Sequence, residues 1–363
     1  MDLEVCYLWL VPLKAGAPSA PDTPSSAPQP LAAPKAAPYF LELDTPSGAR
    51  QPLAAPKDAP YFLELDIEVR AVGTRQVSLD GTPVQINQQV LDDSVWAAEC
   101  RYLLRDALSD TASARQRALQ AALRQELVAL SGRQTAFTEH YTILLLRAVA
   151  PTPDAFVDAH AVALAGLLRP LTKPLSPSDA AALLAARARY SEADLTVVDW
   201  EGAVIVAPDG DFQSDVELMK IGAYQLLRLR VLDKTIENSL RALRRNLDAA
   251  RLTWLPAPNK TLQAIVEQRL ALVLDLEKID QSLLLIGDWY SARVYRLIVE
   301  QFNLGEWKST VSAKLDSLST IDGIISQNLA FSWRRLLDLA QFVGWLVLLV
   351  GYFVLFIVDI AGR

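Results

Sequence analysis

Apolar residues crowd the first thirteen positions, Met1 to Leu13, in a run that reads as a β-strand. From Tyr61 to Arg70 the pattern alternates, with Tyr61, Leu63, Leu65, Ile67 and Val69 on one face of a second strand. Helical spacing follows over Asp93–Leu108 and Thr111–Leu130, then a strand over Thr138–Val149. Further helices are predicted over Pro153–Leu168 and Ser176–Tyr190, the latter opened by Ser176-Pro177-Ser178-Asp179. Leu195–Trp200 and Ala203–Val206 form a hairpin turning at Glu201-Gly202. Strands mixed with helices define an α+β or α/β head domain over 61–210, with 1–13 as its first strand.

Beyond residue 211 the texture is helical. Ser214-Asp215-Val216-Glu217 has the form of a capping box, opening a helix that Pro256 and Pro258 break. A second helix spans Thr261–Phe302. A third carries Val311, Leu315, Leu318, Ile325, Leu329 and Leu336, three, four or seven apart. The region 211–338 is thus expected as long antiparallel helices or a coiled coil, its seam serving intramolecular packing or a homo-oligomer.

Residues 339–358 carry no charge, and 14 of these 20 are Leu, Ile, Val or Phe. At 1.5 Å per residue they would cover roughly 30 Å, a bilayer core. The expectation is one C-terminal transmembrane helix: a single-pass, tail-anchored membrane protein with the lipid bilayer as partner. Its interface residues would be Trp333, Arg334, Arg335, Trp345 and Asp359. The arginine pair places the N-terminal domain in the cytoplasm and the short C-terminus on the opposite side. Met1–Leu13 lacks the basic start and cleavage site of a signal peptide.

Composition sets residues 14–60 apart as a flexible insertion: it holds 11 of the 21 prolines. Within and beyond it lies a 22-residue tandem repeat, Thr23–Asp44 and Thr45–Asp66, differing at three positions. Two copies are too few for a solenoid. The second runs on into the alternating strand, whereas the first stops at Thr45-Pro46 and is expected as a loop.

A net charge of -7 argues against a general nucleic-acid binder, and no nucleic acid is expected as a partner. Cys6 and Cys100 are too few for a disulfide scaffold and read as free thiols. His140 and His160 are the only histidines, without companions at metal or triad spacing. No phosphate-loop, zinc or nucleophile-elbow signature occurs, so no cofactor, metal site or catalytic residue is assigned. The acidic run Asp209, Asp211, Asp215 and Glu217 offers hard oxygens to calcium but lacks the EF-hand pattern, and acids at a helix start explain it as well. Arg228, Arg230, Arg241, Arg244, Arg245 and Arg251 interleave with Asp233, Glu237 and Asp248, as on a solvated helix face.

Asp194 to Ala203 (DLTVVDWEGA), Tyr224 to Asp233 (YQLLRLRVLD), Ile286 to Tyr290, Val294-Tyr295, Trp307 and Lys314 to Leu318 occur in an order that resembles the YagE-like, "required for meiotic nuclear division" family. The resemblance implies an α/β head, a helical C-terminal part and a membrane anchor, and supplies no active-site residues. CorA-type metal transporters share that overall plan, but they need two spans and a Gly-Met-Asn signature. Met219 is the only methionine after the first residue, which leaves at most a non-conducting ion or lipid sensor. The expected function is a non-enzymatic scaffold or partner-binding module. The alternative is a membrane-proximal enzyme with a site around Asp199 and His140.

Overall fold

The computed structural model describes residues 1–13, 67–132, 137–147, 149–170, 173, 175–252, 270, 273–274, 276–277, 289–317, 341–352 and 354. The chain divides into two units, Met1–Val231 with Lys278–Lys308, and Leu232–Glu277 with Ser309–Arg363.

The first unit is built on an eight-stranded mixed sheet. Its strands are β1 (Leu3–Pro12), β2 (Val69–Leu79), β3 (Thr82–Leu91), β4 (Val95–Leu104), β5 (Glu139–Leu146), β6 (Arg187–Ala188), β7 (Leu195–Val198) and β8 (Gly202–Val206). They lie in the order β2-β3-β4-β1-β5-β8-β7-β6. Only β5 and β8 run parallel, joined by a long helical crossover; the other pairs are antiparallel.

The registers sort the side chains onto two faces, since successive residues point to opposite sides of a sheet. Tyr7 and Trp9 of β1, Cys100 and Tyr102 of β4, Leu144 of β5 and Val204 of β8 share one face. It packs against α1 (Ala112–Ser131), α2 (Pro153–Ala159), α3 (Ala161–Leu168) and α4 (Pro177–Leu183), burying Leu119, Leu123, Leu127, Leu164 and Leu168. Glu4, Cys6, Leu8, Glu99, Arg101, Tyr141 and Thr196 share the other face. Over it lie the start of α5 (Gln213–Leu252) and all of α6 (Trp289–Gln301).

This second face is polar at its centre. Arg101 Nε donates to Glu99 at 2.8 Å and its Nη2 to Gln213 at 3.0 Å, while Lys220 from α5 lies 3.0 Å from Glu99 and 2.8 Å from Glu217. Burial alone would raise the Glu99 pKa, but the Lys220 and Arg101 charges overcome it and hold the carboxyl at about 2.

Several expectations need correction. Asp93–Leu108 is not a helix: it holds β4, buried along nearly its whole length. Its Ala97, Ala98, Glu99 and Arg101 look helical in sequence, but a strand covered on both sides has no alternation to betray it. The stretch after Val69 forms the hairpin β2–β3, turning at Asp80-Gly81, both at positive φ. Ser176–Tyr190 yields only the short α4, then β6. Cys6 and Cys100 are free, as expected: adjacent strands point them to opposite faces, which prevents a bridge.

The transmembrane helix is the largest correction. Among the described residues no helix is long and apolar enough to cross a membrane. A described helical run covers 341–352. The tail anchor, the single-pass topology and the bilayer as partner therefore lose their support. Trp345 lies on this run and is exposed; Trp333, Arg334, Arg335 and Asp359 lie outside the described residues. So do the Pro-rich insertion and both repeats in full.

Within the second unit, Lys314 pairs with Asp233 at 2.5 Å and Glu237 at 3.5 Å, while Ile236, Val311 and Leu315 are buried.

Candidate functional site

Where β7 begins, β8 ends and α5 and α6 begin, the first unit opens into a cleft of about 820 Å³. Four pieces of chain make it. The loop from β6 to β7 brings Tyr190, Ser191 and Asp194; the loop from β8 to α5 brings Asp209 and Asp211; the first turns of the two helices bring Ser214, Asp215, Tyr290 and Ser291.

Each loop is shaped by its own acid. Asp194 Oδ1 accepts the backbone N–H groups of Tyr190 at 2.9 Å and Ser191 at 2.7 Å. Asp209 Oδ1 accepts from the Asp211 N–H at 3.0 Å, and Gly210 takes the positive φ the turn requires.

Asp215 forms the floor. It is only 6% exposed although it lines the cleft. Thr196 Oγ1, reaching from β7, donates to its Oδ2 at 2.5 Å, and the Tyr290 hydroxyl donates to the same oxygen at 3.1 Å. Both donors converge on Oδ2; Oδ1 accepts no hydrogen bond among the described residues. Burial raises the Asp215 pKa, the two hydroxyls oppose that, and the charges of Asp194 and Asp211 add to it, leaving it at about 6.

The rim is aromatic. Tyr190 and Trp289 are stacked with centroids 5.8 Å apart, and both are left largely open, at 63% and 59% exposure. Tyr290 meets Tyr190 edge-on at 5.7 Å and Trp289 at 6.3 Å. No lysine, arginine, histidine or cysteine is among the cleft's lining residues.

The acidic run singled out in the sequence is thus divided. Asp209, Asp211 and Asp215 face the cleft, while Glu217 turns away to Lys220 and Gln213. Among the described residues no group of three or more His, Cys, Asp and Glu side chains is arranged to hold a metal. Asp199 and His140 do not form a pair. Arg169 grips the Asp199 carboxylate at 2.7 Å, whereas the His140 ring lies on Trp9 at 6.2 Å. Desolvation there, then the Arg124 charge, shifts the His140 pKa down. Arg230 and Arg241 are engaged by Glu139 and Glu237. Thr196, Tyr190 and Tyr290 carried no sequence signal of their own: they meet Asp215 only through strand order and the return of α6.

Comparison with known proteins finds a family other than the one the sequence resembles. The family described as "Uncharacterized protein MJ0711, N-terminal domain" matches residues 69–213, from the start of β2 to the first residue of α5. The uncharacterized protein MJ0711 of Methanocaldococcus jannaschii is 26% identical over 202 residues, which is 56% of this chain and 62% of that relative. No solved structure matches the chain. The similarity is therefore to an uncharacterized family, and the YagE-like assignment is not supported.

Proposed function

We propose that this protein is a non-enzymatic partner-binding module that receives its ligand in the cleft around Asp215. One observation carries the reading: Asp215 lines a cleft large enough for a ligand group, with Thr196 and Tyr290 both on Oδ2 and no described residue bonded to Oδ1. The exposed Tyr190–Trp289 pair supports the same reading, since open aromatic surface beside a concavity is what a binding rim needs.

A second reading rests on the same residue. A carboxyl with a pKa near 6 is suited to serve as a general base, so Asp215 could act on a bound substrate. Titrating the full chain with a fragment library, while following Tyr190, Asp194 and Asp215 by NMR, separates the two. Fragments that shift these signals and are recovered unchanged support the module. Fragments recovered chemically altered, with loss of turnover in Asp215→Asn, support the enzyme. If no fragment moves the cleft signals, both readings fall.

A further inference from the structure

We infer that the helical run 341–352 is an interface between copies of this chain, two such helices meeting along the groove that Gly344 and Gly351 open. The run belongs to the second unit and is independent of the cleft around Asp215. Every residue of it is exposed and none is charged. Phe342, Trp345 and Tyr352 are 68%, 69% and 72% exposed. At ~150–250 Å² per aromatic side chain these three offer roughly 400 Å², and the aliphatic residues between them about as much again. That matches the ~800 Å² per partner of a standard protein–protein interface and exceeds the largest apolar patch a monomer ordinarily leaves open.

The occupant follows from the chemistry of this surface. Gln341, the Trp345 ring nitrogen and the Tyr352 hydroxyl are its only polar side-chain groups, so a charged peptide or nucleic acid finds no counterpart there. Helices that lie on a lipid surface pair an apolar face with a charged one, and this run has no charged face. No described helix is long and apolar enough to cross a membrane. A second copy, by contrast, presents the same apolar surface, as a two-fold interface requires.

The glycines supply the seam. They stand seven positions apart, two helical turns, and so share one face. A β-carbon built at either meets nothing within 4 Å. Alanine would therefore fit both positions and favour the helix by about 1 kcal/mol each, so no contact within the chain calls for glycine. A bare backbone lets a second helix approach more closely than side chains would allow. Val347 and Leu348, between the two glycines on the same side, wall the groove.

Light scattering on the full chain, in buffer without detergent, reads the assembly. The expected result is a discrete multiple of the single-chain mass. Leu348→Glu puts a charge into the seam and should return the protein to the single-chain mass, a fall of at least twofold. Gly344→Leu separates a fitted seam from mere stickiness: it adds apolar surface but fills the groove, and it should lower the mass as well. Leu348 is exposed and Gly344 has open space around it, so both variants keep the fold, which circular dichroism checks. A single-chain mass or a continuous spread of masses for the parent protein overturns the inference. So does a Gly344→Leu protein whose mass is unchanged or larger. Co-sedimentation of single copies with phosphatidylcholine–phosphatidylglycerol vesicles would make a lipid surface the occupant and overturn it too.

Discussion

Asp215 sets the pH behaviour of the folded chain. Its pKa rises from 3.8 to about 6 on folding, so between those values the native state holds a proton that the unfolded chain has released. Stability from this group is therefore greatest at the acid end of the window and declines as pH rises through it. The loss reaches roughly 3 kcal/mol at pH 7. Asp215→Asn should flatten that slope and be the more stable protein at pH 7.5, while losing ligand affinity; urea denaturation at pH 4.5 and 7.5 reads both slopes. Parallel profiles for the two proteins would contradict the assignment. Gly222 is a second residue whose role is steric. A β-carbon there would lie 2.3 Å from Ile298 Cγ2, so α5 and α6 meet at a point where only hydrogen fits. Gly222→Ala should cost about 1–3 kcal/mol from overpacking. That outweighs the roughly 1 kcal/mol an alanine gains inside a helix. A lower urea midpoint is expected, and a raised one would show that α6 does not pack there.

Among the elements, β4 and the start of α5 explain what could be read in advance and what could not. Strand β1, the strand around Tyr141, the hairpin β7–β8 and the helix beginning near Ser214 were legible because their apolar runs and turn residues are local. Strand β4 was not, because Glu99 and Arg101 are polar residues inside a fully covered strand, tolerable only through Lys220 and Gln213 some 110 positions later. Hairpin β2–β3 was missed although Asp80-Gly81 marks its turn; its exposed β2 has no buried face to impose a pattern. The acids of the cleft were visible as a run, but the hydroxyls and rings completing it are contributed by other elements. The ion network makes its own prediction. Lys220→Met leaves Glu99 and Glu217 without that counter-charge in the interior and should cost about 3–5 kcal/mol. Adding Glu99→Gln should recover part of it, and a double mutant no more stable than Lys220→Met would show that the pair is not coupled. Glu99 acts opposite to Asp215: its contribution is complete above pH 4.5 and is lost as pH falls towards about 2.

For the whole molecule, the α/β head is the part where sequence pattern and structure agree in class, an eight-stranded mixed sheet between two helical layers. The apolar run after Leu339 reads as a membrane span, but among the described residues no helix is long and apolar enough to cross a membrane. Function is the least legible level. No contiguous motif marks the cleft, since Thr196, Asp215 and Tyr290 stand 19 and 75 residues apart in sequence and converge only in the fold. The family model, over 69–213, covers the two acidic loops and stops short of Asp215. Whether the cleft is a ligand site thus turns on one carboxyl.

Its titration is the most direct measurement: carbon-13 NMR of the Asp215 side-chain carboxyl in the full chain. The account predicts a pKa near 6. A carboxyl that titrates at the ordinary aspartate value would contradict it.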